Sequence, residues 1–289
     1  MKRFILFSTL VGVFFIALFF YWSSVVSNAR ARGRSLPLIV HAGGGVRGNI
    51  YTSSREALDA NYAAGYRLFE LDFSWTSDRQ LVLIHDWEGT YEKYFGMQGE
   101  RPTRDQFLAL SMKDNLTQLS LEQLFEWLAA HPDARVVTDV KEDTIAALTY
   151  IQERDPKFAQ HFIPQIYDPE EYTAVRALGY VDIIFTLYRL TIDRYVTALR
   201  IFFFAGTHDL YAVTMPVERA LHGSFASLMQ WTGKIVYVHT VNEKEEYQIL
   251  QQRGIGIYTD WIIPSASSTD ALPQASSASI DTTHSGRTW

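Results

Sequence analysis

The stretch Phe69–Asp86 reads FELDFSWTSDRQLVLIHD. It holds two acids one residue apart, Glu70 and Asp72, with twelve residues between Asp72 and His85. A right-handed crossover to a parallel strand needs a dozen or more residues, usually a helix. Nothing helical fits in this gap. The spacing predicts instead a segment folded in half about Asp78-Arg79, although arginine is not an ideal residue for such a turn. In that register Ser77 pairs with Gln80, Trp75 with Val82, Phe73 with Ile84 and Asp72 with His85. Side-chain alternation then puts Glu70, Asp72, Ser74 and His85 on one face, and Leu71, Phe73, Trp75, Val82 and Ile84 on the other.

Outward from this segment the chain alternates short apolar strands with helices. Strands are expected at LPLIVHA, LFELDF, LVLIHD, RVVTDV, FIPQIY, DIIFTLY, YAVTMP, KIVYVHTVN and IGIYTD. Helices are expected over 54–64, 121–130, 144–153, 170–178, 192–203, 217–231 and 243–252. Ser53 with Glu56 fits a capping box at the first helix. Gly65, Gly179 and Gly254 fall where a left-handed residue ends a helix. Repeated alternation argues for a mostly parallel sheet. About eight units in this length favour an α/β fold of the closed (β/α)8 TIM-type over an open doubly wound sheet. Nine strand candidates exceed the eight staves of such a barrel, and a hairpin-like departure at Phe69–Asp86 accounts for part of the excess. HAGGG is glycine-rich, but neither a dinucleotide fingerprint nor a phosphate-binding loop follows it.

The two ends read differently. Lys2 and Arg3 precede an uncharged, strongly apolar run that extends to Ala29. About 20 apolar residues in a helix span a bilayer, so residues 1–29 are expected to be a transmembrane anchor or uncleaved signal. SNA before Arg30 is a candidate cleavage site. Arg30, Arg32 and Arg34 make 30–35 a basic linker, and positive charge on both sides of the span nearly cancels the orientation signal. A single-pass protein with an extracytoplasmic barrel is the expected arrangement. Residues 264–289 are rich in Ser, Thr, Ala and Pro and read as a disordered tail, in which His284 is incidental. The barrel then covers 36–263, with a small insertion at 87–116. The 289-residue chain has no cysteine, which excludes disulfides, cysteine nucleophiles and thiolate zinc sites. Its net charge of −6, with no basic block beyond the N-terminal region, argues against a nucleic-acid partner.

The chemistry starts with Glu70 and Asp72. Acids at i and i+2 on a strand share a face, about 7 Å apart along the chain. Close carboxylates repel unless protonated or bridged by a cation, and oxygen-only ligands suit Ca2+ or Mg2+. Asp139 and Lys141, again i and i+2 at a strand end, offer a third carboxylate and a cationic contact for an anionic group. His41 ends the first strand and His85 the acidic ribbon. Each residue alone has a plain structural reading. Together they fall at the strand ends where barrel enzymes place their sites, and they suit general acid–base chemistry on a phosphate ester.

The ordered set resembles the glycerophosphodiester phosphodiesterase family, within the phospholipase-C-like phosphodiesterase barrels. The matching pieces are His41-Ala42-Gly43, Glu70-Leu71-Asp72, Thr76-Ser77-Asp78, His85-Asp86, Asp139-Val140-Lys141, HTVN at 239–242 and YTDW at 258–261. The resemblance covers about Leu36 to Ile263. It implies a phosphoric diester hydrolase of lipid metabolism, in which His41 and His85 exchange protons with the attacking and leaving oxygens. Glu70, Asp72 and Asp139 would bind a divalent cation, and Lys141 would hold the substrate phosphate. The substrate would be a small-molecule or lipid phosphodiester, cleaved by water or by a neighbouring hydroxyl. Three departures stand out: Ala42 replaces the family's phosphate-contacting arginine, YTSS at 51–54 replaces Pro-Glu-Asn-Thr, and Asp139 replaces a glutamate. Arg47 and Arg189 are candidates to replace the missing arginine. Asp-x-Lys resembles the sphingomyelinase-D relatives, so an enzyme of phospholipase-D type that forms a cyclic phosphate is an alternative. A non-catalytic, membrane-anchored binding barrel is another.

Overall fold

The computed structural model describes residues 36–190 and 195–264, with isolated positions between 12 and 21. The expected anchor, basic linker and tail therefore lie almost wholly outside the described residues. Among the described residues no helix is long and apolar enough to cross a membrane.

Eight parallel strands close into a ring: β1 (Ile39–Val40), β2 (Leu68–Trp75), β4 (Arg135–Val140), β5 (Phe162–Ile166), β6 (Ile184–Thr186), β7 (Ala212–Pro216), β8 (Ile235–His239) and β9 (Gly256–Thr259). Strand β1 pairs with both β2 and β9, which closes the barrel. The ninth strand, β3 (Leu81–Leu83), is not a stave. It runs antiparallel to the end of β2. Eight of the nine strands fall inside the expected segments, and β2 runs two residues past LFELDF, to Trp75.

The hairpin is therefore present, but its register differs from the expected one by one residue. The pairs are Phe73 with Leu83, Ser74 with Val82 and Trp75 with Leu81. The cause is the turn. Thr76 N–H donates to Gln80 O at 2.9 Å, and Arg79 N–H donates to Thr76 O at 3.1 Å. The loop thus has three residues rather than two, and Arg79 takes φ 57°, the left-handed residue such a loop requires. The Thr76 hydroxyl pins it by donating to Asp78 Oδ1 at 2.6 Å and accepting from Gln80 N–H at 3.0 Å. A one-residue slip moves every side chain to the other face. Val82 and Ile84 accordingly pack with Trp87, Tyr91 and Phe107 of the insertion. Leu81 and Leu83 join Phe73 and Trp75 in the main core instead.

Period-two alternation builds the barrel interior in layers. One residue from each stave forms a compact apolar plug: Ile39, Leu68, Val137, Ile163, Ile184, Ala212, Tyr237 and Tyr258. Two residues further along each chain segment come His41, Glu70, Asp139, Gln165, Thr186, Thr214, His239 and Asp260. The plug is apolar and the next layer is polar, so the interior becomes hydrophilic only near the C-terminal mouth. The intervening residues, such as Phe69, Leu71 and Val136, belong to the larger core beneath the helices.

Among the helices, 121–130 matches its expected span, while the expected helix over 217–231 is two: Val217–Leu221 and Phe225–Trp231. Gly223, at φ 144°, lies in the break. The insertion contains two short helices, Gly89–Phe95 and Arg104–Leu108. The first cap is also corrected. Ser54, not Ser53, caps helix Arg55–Ala63 by accepting from Ala57 N–H at 3.3 Å. Glu56 reaches Thr117 instead of closing a box. Gly65, Gly179 and Gly254 all take positive φ after their helices, as expected.

Candidate active site

The polar layer opens into a cavity of roughly 180 Å3 lined by His41, Tyr51, Glu70, His85, Asp139, Lys141, Gln165, Tyr188, His239, Thr240 and Tyr258. Strand β2 carries Glu70 and Asp72, both buried, and β4 carries Asp139 directly beside Asp72 in the ladder. Oxygen atoms of the three acids lie within 4.8 Å of one another. Burial pushes the Glu70 carboxyl up to about 8, and repulsion from Asp72 adds to this. Its Oε2 accepts the Ala42 N–H at 2.8 Å.

Lys141 enters this cluster from the end of β4. Its Nζ stands 2.6 Å from Asp72 Oδ1 and 2.7 Å from Asp139 Oδ2. Burial opposes its charge, but Asp72, Asp139 and Glu70 hold its pKa above the usual lysine value. Burial would also raise Asp139, yet the Lys141 charge, its hydrogen bond and the Tyr167 hydroxyl lower it. The second Asp72 oxygen, Oδ2, is buried without a hydrogen-bond partner. A buried carboxylate oxygen with no donor, beside two further carboxylates, fits a hard divalent cation. Glu70, Asp72 and Asp139 are the residues that could hold one.

The histidines stand on either side. His41 Nδ1 lies 2.9 Å from Asp260 Oδ1, and its Nε2 lies 4.0 Å from Glu70. Burial alone would lower the His41 pKa. The Asp260 hydrogen bond and the charges of Glu70, Asp260 and Asp72 outweigh it and raise the value to about 9. Asp260 is itself held by Asn242, whose amide donates to Oδ2 at 2.8 Å and whose Oδ1 accepts the Asp260 N–H at 2.8 Å. His85 is reached differently from the expected cross-strand pairing with Asp72. Strand β3 ends at Leu83, so His85 lies beyond the ladder and is free of its alternation. Its Nδ1 contacts Asp86 Oδ2 at 2.6 Å, and Asp86 in turn accepts from the Thr90 N–H and hydroxyl. Burial works against the Asp86 charge, but these bonds hold its carboxyl at about 2. Tyr51, at φ 63°, stands between the imidazoles, with ring centroids 4.6 Å from His41 and 5.1 Å from His85.

Five of the six expected site residues line this cavity, and the sixth, Asp72, lies beside them, bonded to Lys141 and grouped with Glu70 and Asp139. Sequence reasoning assigned no role to Asp260, Asn242, Tyr51 or Tyr167. The signals for the first two were present in YTDW and HTVN, but their partnership with His41 spans the whole chain. Of the two arginine candidates, Arg47 is turned away and donates to Asp114 O at 2.7 Å. Arg189 is near: its guanidinium lies 3.5 Å over the Tyr167 ring and 3.8 Å from Asp139 Oδ1. Ala42 is fully buried.

No protein-family model matches the chain, and no curated protein matches it. Solved structures do. A glycerophosphodiester phosphodiesterase from Thermotoga maritima is 18% identical at a TM-score of 0.62, covering 78% of this chain and 95% of that one. One from Parabacteroides distasonis is 17% identical at 0.60, covering 78% and 93%. The chain has the fold of the glycerophosphodiester phosphodiesterases. An Oleispira antarctica phosphodiesterase, solved with the product sn-glycerol-3-phosphate, is similar too: 14% identical, TM-score 0.59, covering 81% of this chain and 97% of that one. On this phosphodiesterase fold, the acids, the lysine and both histidines occupy the C-terminal mouth, the functional end of TIM barrels.

Proposed function

We propose that the chain is a metal-dependent phosphodiester hydrolase acting on glycerophosphodiesters or related phospholipid-derived substrates. The convergence of Glu70, Asp72 and Asp139 between two histidines, with one acid oxygen lacking any donor, carries this reading. A divalent cation held by the three acids would polarise a phosphoryl oxygen. Lys141 supplies a fixed positive charge for the substrate phosphate. His41 is held protonated near neutral pH, so its Nε2–H can donate a proton to a leaving oxygen. His85 gives its Nδ1–H to the ionised Asp86, which leaves Nε2 to take the proton of the attacking water. The Asp260 and Asp86 carboxylates orient the two rings, as a third group orients the base in catalytic triads.

A panel of phosphodiesters assayed with Ca2+ or Mg2+, and with chelator, tests this. His41→Ala and His85→Ala should each lower kcat by about 10^2- to 10^4-fold. Equal inactivity of wild type and His41→Ala across the panel sinks the enzyme reading and leaves a binding barrel. Phosphorus NMR reads the product. A cyclic phosphate that persists overturns hydrolysis in favour of attack by a neighbouring substrate hydroxyl. The apolar N-terminal stretch is the proposed single-pass anchor, with the barrel outside the cytoplasm. Protease added to intact cells should then digest the barrel, and protection until lysis would reverse the orientation.

A further inference from the structure

His239 is the titratable residue of the polar layer that the proposed chemistry does not use. It lines the cavity at the end of β8. Around the ring β8 stands four staves from β4, so His239 lies across the barrel from the Asp139–Lys141 wall. Its ring makes edge contacts with Tyr188, at 5.6 Å between centroids, and with Tyr258, at 5.9 Å. No hydrogen bond from its ring nitrogens to another described residue accompanies these contacts. Burial, and then the His41 charge, push its pKa down to about 4, so the ring is neutral where the others work. A neutral imidazole offers one donor and one acceptor, which matches a hydroxyl group.

The neighbouring wall is of the same kind. Gln165 and Tyr258 meet at 3.4 Å, Thr240 adds a hydroxyl, and none of these groups carries charge near neutral pH. The face of Tyr167 is already covered by Arg189, whose guanidinium also lies 5.4 Å from the Tyr188 ring. That charge belongs to the acid wall opposite His239, 3.8 Å from Asp139 Oδ1. We propose that His239 is a specificity-determining residue that hydrogen-bonds a hydroxyl of the organic group attached to the phosphate, selecting hydroxylated alcohols over those that lack a hydroxyl. The proposal rests on the phosphodiesterase reading for the position of the phosphate, which Lys141 and the acid wall would hold on the opposite side.

Calorimetric binding to the full chain in detergent tests it without turnover. The probes are glycerol phosphate, ethyl phosphate and phosphocholine, and the variants are His239→Phe and His239→Gln. Glycerol phosphate should bind about tenfold tighter than ethyl phosphate, the value of roughly one hydrogen bond, and also tighter than phosphocholine. His239→Phe should erase the margin over ethyl phosphate while leaving ethyl phosphate within about twofold of wild type. His239→Gln, which keeps a donor and an acceptor, should retain most of it. A margin that survives His239→Phe, or an equal loss for both phosphates, overturns the proposal. Turnover separates the two readings. A wild type that shows the margin but cleaves no diester sinks the hydrolase and keeps the subsite. An active enzyme whose His239→Phe form loses kcat/KM equally on glycerol and ethyl diesters sinks the subsite alone.

Discussion

Lys141→Met isolates the electrostatic logic of the site. The ammonium sits 2.6 Å from Asp72 and 2.7 Å from Asp139. Its side chain is 18% exposed, and that of Asp72 is 1% exposed, so water screens the pair little. Methionine keeps much of the stem's volume and removes the charge, which leaves Asp72 and Asp139 without the ammonium they share. Removing one partner of a buried pair costs about 3–5 kcal/mol, and the partial exposure of Lys141 places this case near 3. A divalent cation supplies the missing charge. At a hundredfold excess over Kd it returns about 2.7 kcal/mol by mass action. Urea unfolding in chelator and in excess Mg2+ or Ca2+ measures both quantities. The variant should be less stable by about 3 kcal/mol in chelator and should gain more from the cation than wild type, because no ammonium competes for Asp72 and Asp139. Equal stability in chelator would show that the ion pair does not organise these acids. An equal gain from the cation in both proteins would refute the assignment of Asp72 and Asp139 as its ligands.

Three further outcomes are expected. Asp260→Asn should lower the His41 pKa from about 9, read by NMR of the imidazole in chelator. The raised pKa contributes stability that is complete below about 6.5 and lost as pH rises through about 9, so the variant should show a flatter stability profile across that window; an unchanged slope removes Asp260 as the cause. Gly256→Ala should cost about 1–3 kcal/mol in urea unfolding, because its Cβ would fall 2.3 Å from the ring of Tyr237, which is fully buried and bonds Pro37 O at 3.0 Å; near-wild-type stability would mean the ring can move. Ser54→Ala should cost about 1 kcal/mol through loss of the helix cap, whereas Ser53→Ala removes a buried hydroxyl that has no partner and should not destabilise; the reverse order would restore the capping box at Ser53.

Much of the site was legible in the sequence because strand alternation is local. Residues at i and i+2 share a face whatever surrounds them, so Glu70 with Asp72 and Asp139 with Lys141 follow from spacing alone. The count of strands likewise pointed to a barrel with one hairpin to spare. The hairpin's register was not legible, because Arg79 enters the left-handed region only once Thr76 and Asp78 close the loop around it. That single residue decided which side of the ribbon Val82 and Ile84 cover. His85 reached the site despite the slip because β3 ends before it.

What the sequence determined by itself was the chemistry available at each stave: an apolar residue for the plug, then a polar one two positions on. Which polar groups meet was decided only by closure of the ring. Closure sets β9 beside β1 and brings Asp260 to His41 across 219 residues. It sets β2 beside β4, where burial makes one lysine shared by two carboxylates the favourable arrangement. And it stands β8 across from β4, which turns His239 from a motif residue into the far wall of the cavity. Alternation acts over two residues and can be read along the chain, whereas these partnerships depend on where eight strands end in space.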